Sequence, residues 1–255
     1  MKLVRILPYN RGSRSARVLA RAVNGLRVRV QGLFRPKQRH LVINWGFAHG
    51  RPHWWTTGLN DPQKVLSSSN KLCALTMLKA AGVSVPEFTT DVNVAKQWWR
   101  DKKVVVGRRV LNGSQGIGCV IFENNQDAPE EPNGCPLYTK HLRHKREFRI
   151  HVFEGRIIDM VEKRKQRGFE GRSEWIRNHA NGYVFCRNDL NVPAIVQEQA
   201  VAACRAVGLD FGAVDVAFRE KEGRAFVFEV NSAPGMEGTT IQKYANAIRE
   251  KAARL

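Results

Sequence analysis

Gly212-Ala213-Val214-Asp215-Val216-Ala217-Phe218-Arg219-Glu220-Lys221-Glu222-Gly223-Arg224-Ala225-Phe226-Val227-Phe228-Glu229-Val230-Asn231 is the stretch whose reading decides the fold. Two runs alternate with a period of two on either side of a turn, the pattern of a β-hairpin. A three-residue loop, Lys221-Glu222-Gly223, suits that turn, with the glycine in the left-handed position. In this register Asp215 lies opposite Glu229. One face gathers Val214, Val216, Phe218, Phe226, Phe228 and Val230, all bulky and apolar. The other gathers Ala213, Asp215, Ala217, Ala225, Val227, Glu229 and Asn231, which are small apart from two carboxylates and an amide. Opposed carboxylates repel each other unless a cation or a proton intervenes. Two carboxylates and an amide carbonyl make a hard-oxygen cluster of the kind that holds magnesium against nucleotide phosphates. The competing reading is a hairpin whose outer face is simply solvated. Alanines in place of lysine and threonine on that face weigh against it. A slip of one residue would separate the two carboxylates and remove the argument.

Working outward, residues 197–207 form a helical pattern that stops at Gly208, just ahead of the hairpin. Upstream, 147–153 and 156–163 read as strands around a turn at Glu154-Gly155. In the first of these, Phe148, Ile150 and Val152 share one face, and Glu147, Arg149, His151 and Phe153 share the other. Ionisable groups on one face point either to a site or to a solvated surface. Residues 137–140 read as a strand, and so do 103–110 and 119–123. The last two are joined by Leu111-Asn112-Gly113-Ser114-Gln115-Gly116-Ile117-Gly118, whose three glycines let backbone amides approach an anion. No Gly-Lys-Ser/Thr follows and a strand comes next, so this is neither a P-loop nor a dinucleotide fingerprint. An ordinary glycine-rich hairpin explains it equally well. Helices are expected over 71–81, capped by Ser69-Asn70 and stopped by Gly82, and near 92–100. At the start of the chain, strands at 2–8 and 41–45 flank a helix over 13–23. This small α/β unit ends near Asn60-Asp61-Pro62.

The 255 residues suffice for one large domain or two to three small ones, and 43% hydrophobic content is ordinary for a globular chain. No apolar run reaches the roughly 18 residues of a membrane helix, and Met1 to Pro8 lacks the apolar segment of a signal peptide. The five cysteines are scattered and never form C-x-x-C, so neither a disulfide framework nor a zinc site is indicated. A reducing, cytoplasmic setting with no membrane partner fits. The formal net charge is +19, and residues 1–60 hold twelve Lys and Arg with no Asp or Glu. Such a field attracts an anionic partner, whether nucleic acid, an acidic protein or the phosphates of ATP. A generally basic surface would look the same, and no sequence-specific nucleic-acid reader is evident.

Taken in order, these segments resemble the ATP-grasp superfamily, in particular its small carboxylate–amine ligases. That group includes D-alanine–D-alanine ligase, glutathione synthetase and the ribosomal-protein glutamate ligases. The resemblance is carried by Asn70-Lys71 with 82–86, by the loop 112–118, by 147–152, and above all by 212–231 continuing into Ser232-Ala233-Pro234-Gly235-Met236-Glu237-Gly238. It covers about residues 63–255 and extends to uncharacterised phage-type ATP-grasp proteins. It implies an α/β (α+β) ATP-grasp fold: a basic N-terminal α/β domain at 1–62, a small subdomain with the glycine-rich loop at 63–135, and a metal-binding subdomain at 136–255. The last two grip ATP.

The resemblance also implies roles. Asp215, Glu229 and Asn231 hold two magnesium ions, or manganese in their place, against the ATP phosphates. Arg108 stands where the family usually has a phosphate-binding lysine, which keeps the charge but changes the donor geometry. Gly113, Ser114 and Gly116 cover the phosphates. Tyr138, Thr139 and Lys140 form the adenine hinge, with Lys140 also near the phosphates. Arg149 and Lys163 face the transferring phosphoryl group, and Asn178 contacts substrate or metal. The implied activity is ATP-dependent joining of a small-molecule or peptide carboxylate to an amine through an acyl phosphate, releasing ADP. Such chemistry needs positioning and charge neutralisation rather than a nucleophilic triad. A kinase on the same fold is one alternative. A basic nucleic-acid-binding protein with a vestigial ATP site is the other, although Asp215, Glu229 and Asn231 are all in place.

Overall fold

Two runs of buried β-branched and leucine residues near the N-terminus pair in parallel. β1 (Leu3–Pro8) lies between β2 (Leu26–Arg27) and β3 (His40–Trp45). The helix between them, α1 (Arg14–Ala22), is started by Ser13, whose hydroxyl accepts from the Ala16 amide, and it buries Ala16, Leu19 and Ala20. This computed structural model describes residues 2–113, 116–124, 130–169, 175, 177–236 and 238–255.

Two short helices follow, α2 (Pro62–Ser69) and α3 (Lys71–Ala80). Asp61 caps the first, and Pro62 at its start loses no hydrogen bond there. Asn70 ends the first and caps the second, accepting from the Leu72 and Cys73 amides. A four-stranded antiparallel sheet then forms from β4 (Phe88–Thr89), β5 (Val105–Arg108), β6 (Cys119–Phe122) and β7 (Leu137–Lys140), in the order β4, β7, β5, β6. Its core lies against α4 (Val92–Arg100), where Ala95 and Trp99 meet Val105, Phe122 and Tyr138. Because β7 lies beyond residue 135, this sheet draws strands from both of the segments expected to grip ATP.

The largest sheet is five-stranded and antiparallel. It contains β8 (Arg146–Phe153), β9 (Arg156–Lys165), β10 (Tyr183–Cys186), β11 (Phe211–Arg219) and β12 (Arg224–Asn231), in the order β10, β9, β8, β11, β12. One face packs on α2, α3 and α5 (Ala194–Ala206), with Phe148, Ile150, Val152, Val214, Val216, Val227 and Val230 in a single cluster. The other face changes character along its length. At one end Phe153 and Phe211 stack, and Phe211 stacks in turn on Trp45, at centroid distances of 5.8 and 5.4 Å. There the sheet shares a core with the N-terminal unit and with the C-terminal helix α6 (Thr240–Arg254). At the other end the same face is ionic.

The hairpin departs from the expected register in one respect. Asp215 does lie opposite Glu229, but Val216 then pairs with Val227, so β12 carries one extra residue at Phe228. This β-bulge moves Ala225 and Val227 into the apolar core and puts Phe226 beside Ala217 on the other face. The tight turn spans 220–223 rather than three residues, and Gly223 takes the left-handed conformation there (φ +60°).

Candidate functional site

Residues paired across neighbouring strands point to the same side of a sheet, so register alone assembles the ionic wall. Val161, Arg149, Asp215 and Glu229 form one row across β9, β8, β11 and β12. Asp159, His151, Ala213 and Asn231 form the neighbouring row. On the opposite flank Glu147 lies beside Ala217, and Lys163 lies beside Phe185. The small residues Ala213 and Ala217 leave room above β11 for their long neighbours.

Arg149 binds Asp215 through two parallel hydrogen bonds, Nε to Oδ1 at 2.6 Å and Nη2 to Oδ2 at 2.8 Å. This fork geometry is the strongest form of the pair. The guanidinium also lies over the Phe185 ring, 4.6 Å from its centroid. Lys163 pairs with Glu147 and stands 3.9 Å from Asp215 Oδ2. His144 Nε2 is 3.2 Å from the other Glu147 oxygen. Glu229 pairs with Lys71, from the first turn of α3, and accepts from Asn231 Nδ2 at 2.8 Å. Arg149, Lys163 and Lys71 thus stand against Asp215, Glu147 and Glu229, and Asp159 in the neighbouring row pairs with Arg187 and Lys243.

Glu147, Glu229, Lys163 and Arg149 hold their charge despite burial. Burial favours the neutral form of Glu147, but the His144 hydrogen bond and Lys163 outweigh it and hold the carboxyl below its usual range. Burial is likewise outweighed at Glu229, held low by Lys71 and Asn231. At Lys163 and Arg149 burial is overcome by Asp215, and both are raised. His151 behaves differently. Burial first, and then the Arg149 charge, push it down to about 3, so its ring is neutral.

Of the residues singled out in the sequence, Arg149, Lys163, Asp215, Glu229 and Asn231 come together on this wall. Asn178 caps the single turn His179–Asn181, accepting from the Asn181 amide at 3.0 Å. Its neighbour Arg177 ties that segment to the His144 and Lys145 carbonyls, beside Glu147. Arg108 and Thr139 lie on one face of the four-stranded sheet, with Arg108 Nη1 3.3 Å from Cys119 Sγ. Tyr138 and Lys140 take the other face, because side chains alternate along β7. There the Tyr138 hydroxyl accepts from the Cys135 amide, and Lys140 pairs with Glu87 at 2.7 Å above the Trp98 ring. Those two side chains do not join the wall. Gly113 sits so close to the Ile117 carbonyl that a Cβ would meet its oxygen at 2.6 Å, and Gly116 has φ +83°. Ser114 lies outside the described residues. Lys71 and Glu147 belong to the wall although no role was assigned to them from the sequence. Glu147 was legible as the alternate neighbour of Arg149. Lys71 was not, because its partner is 158 residues away.

Asp215, Glu229 and Asn231 are hard-oxygen donors in adjacent positions, which suits magnesium. An ion held by two carboxylates and an amide completes its shell with water and substrate phosphate. Among the described residues no group of three or more His, Cys, Asp or Glu forms a metal cluster.

The whole architecture has solved counterparts. The ATP-grasp ligase PsnB, in complex with a phosphomimetic variant of its minimal precursor, Mg and ADP, superposes with a TM-score of 0.70 at 12% identity, covering 98% of this chain and 99% of that one. D-alanyl-alanine synthetase A from Vibrio cholerae gives 0.68 at 15% identity, covering 99% and 98%. The fold is therefore that of the ATP-grasp enzymes. Residues 68–253 match the RimK-like ATP-grasp domain, and the chain belongs to that family. Its curated relatives include the probable alpha-L-glutamate ligases of Aeromonas salmonicida (strain A449) and Pectobacterium carotovorum subsp. carotovorum (strain PC1). They are 28% and 29% identical over 196 and 195 residues, covering 72% and 71% of this chain. The chain spans 62% and 60% of the length of those relatives. Among the described residues no helix is long and apolar enough to cross a membrane.

Proposed function

We propose that this protein is an ATP-dependent, ADP-forming carboxylate–amine ligase whose reaction takes place over the ionic wall of the five-stranded sheet. The single observation that carries this reading is the row Arg149, Asp215 and Glu229, which sets two opposed carboxylates beside a guanidinium in a chain of ATP-grasp fold. Asp215, Glu229 and Asn231 would hold two magnesium ions, for which manganese can substitute. The metal supplies charge neutralisation on the nucleotide phosphates. The small subdomain at 63–135 and the metal-binding subdomain at 136–255 grip the nucleotide, and residues 1–62 shape the acceptor side.

A carboxylate cannot be attacked directly by an amine, because oxide is a poor leaving group. A substrate carboxylate oxygen instead attacks the γ-phosphorus. The bond to the β–γ bridging oxygen breaks and ADP leaves. The amine nitrogen then attacks the acyl carbon, the C–O bond to phosphate breaks, and the nitrogen loses its proton to solvent. Arg149 and Lys163 would neutralise the transferring phosphoryl group, and preorganised charge of this kind is the main catalytic resource in such sites. Arg108 serves the nucleotide phosphates. The backbone of Tyr138, Thr139 and Lys140 serves the adenine, and Lys140 reaches the phosphates only by leaving Glu87. Gly113 and Gly116 let the backbone close over the acyl phosphate and exclude water, and Asn178 orients substrate.

L-Glutamate is the first substrate to test, since relatives are named as glutamate ligases. Peptides come next, because PsnB is solved with a precursor. The charge of residues 1–60 supports an anionic acceptor or partner, and the five free cysteines support a cytoplasmic setting. The test is ADP release from MgATP with L-glutamate and a panel of amino acids and peptides, with products weighed by mass spectrometry. ADP release that needs both a carboxylate and an amine, with a product one water lighter than their sum, is expected. ADP release with a stable phosphorylated product and no need for an amine would make the protein a kinase.

A further inference from the structure

We infer that Lys71 is a positioning residue that makes metal binding depend on nucleotide, by holding Glu229 until phosphate draws its ammonium away. The inference rests on the nucleotide reading of the ionic wall and goes beyond it. Three observations carry it. First, the Lys71 ammonium pairs with Glu229 Oε2, and the other oxygen, Oε1, accepts from Asn231 Nδ2, so both oxygens of this carboxylate are engaged. A metal at Glu229 meets a buried cation there, since Lys71 is only 8% exposed, and the two positive charges repel at close range. Second, Arg149, Lys163 and Lys71 already neutralise Asp215, Glu147 and Glu229, and Asp159 in the next row has Arg187 and Lys243. A bare divalent ion would add two uncompensated charges in a site of low dielectric, whereas one that arrives with nucleotide phosphates would not. Third, the Lys71 amide donates to the Leu111 carbonyl at 2.9 Å, at the head of the glycine-rich loop. The backbone of this lysine is therefore tied to Leu111 while its ammonium reaches the wall, and a rotation of its side chain can carry the ammonium from Glu229 to a nucleotide phosphate. Asp215 is held differently, by a forked guanidinium that is part of the same sheet.

Coupling of this kind is reciprocal: nucleotide tightens metal binding by the factor by which metal tightens nucleotide binding. The experiment is a Mn2+ titration followed by the electron paramagnetic resonance of free Mn2+, with and without ADP. It uses the full chain and the variants Lys71→Met and Lys71→Arg, each checked for an unchanged melting temperature. Methionine keeps the buried stem and removes the charge, whereas arginine keeps the pair. Without ADP, Lys71→Met should bind Mn2+ at least tenfold more tightly than the parent, and Lys71→Arg should bind like the parent. The enhancement by ADP should shrink in Lys71→Met alone. Equal nucleotide-free affinity in Lys71→Met and parent, with ADP still promoting Mn2+ binding in the parent, would overturn this inference and leave the nucleotide reading standing. No Mn2+ binding by the parent even with ADP would overturn both. Should Lys71→Met melt early, Lys71→Gln gives the same comparison under the same criteria.

Discussion

His151 shows how much a single side chain on this wall is asked to do. It lies between the aromatic and ionic ends of the sheet face, 2% exposed, with Nδ1 3.2 Å from the Tyr244 hydroxyl. Its pKa is about 3 in the fold, against 6.5 for an ordinary histidine, because of burial and then the charge of Arg149. Between those values the unfolded chain binds a proton that the folded chain does not. Stability from this group is therefore complete above pH 6.5 and is lost as pH falls toward 3. The loss from pH 7.5 to 5 is about 2 kcal/mol. Urea denaturation at the two pH values should show that loss in the parent and most of it removed in His151→Gln. Equal pH dependence in both would show that the ring is not buried as a neutral group. The neighbouring Asp159 has the opposite chemistry. Burial opposes its ionisation, but Lys243, Thr240 and Arg187 hold it at about 2. Its contribution is intact above pH 4 and disappears only as pH falls through 2.

At the scale of elements, β11 is the strand on which fold and site depend together, and its entry is fixed by Asn60. The Asn60 side chain accepts from the Asp210 and Phe211 amides at 2.8 and 3.1 Å and donates to the Phe211 carbonyl at 2.9 Å. The Asn60 side chain itself is fully buried. Asn60→Ala strands three backbone groups and should cost about 2–4 kcal/mol. Chemical denaturation measures this directly, and an unchanged midpoint would refute the role of Asn60 as the latch. The alternation of 212–231 was enough to place Asp215 against Glu229, because a two-residue period leaves few alternatives. The bulge at Phe228 was not legible, since an extra residue is selected by packing against α5 and by the bond from the Val227 amide to the Ser84 carbonyl at 2.8 Å rather than by local pattern. Helix α6 lay outside the elements read from the sequence, although Tyr244, Ala245, Ile248 and Ala252 fall on one helical face. Lys140 and Tyr138 show the converse: motif position singled them out together with Thr139, yet strand alternation sends their side chains to the far face.

Over the whole molecule, the N-terminal unit brings a basic field to the same core that carries the wall. Arg5, Lys37 and Arg39 crowd His40, whose pKa is lowered by burial and then by Arg5. The anionic partner proposed above would relieve such crowding. Binding to a nucleic-acid homopolymer, measured by fluorescence anisotropy at two salt concentrations, should weaken by roughly 0.7 to 0.9 powers of salt for each phosphate engaged. No binding at low salt would reduce the +19 charge to a surface property. The central claim is that opposed carboxylates of neighbouring strands hold a metal-bound nucleotide over the five-stranded sheet. Calorimetric titration of MgADP into the parent and into Glu229→Gln tests it most directly. The substitution keeps the volume and removes one ligand charge; measured at a temperature where both proteins are folded, the variant should bind MgADP about 100-fold more weakly, a difference of roughly 2.7 kcal/mol. Equal MgADP affinity in the two proteins would contradict the account.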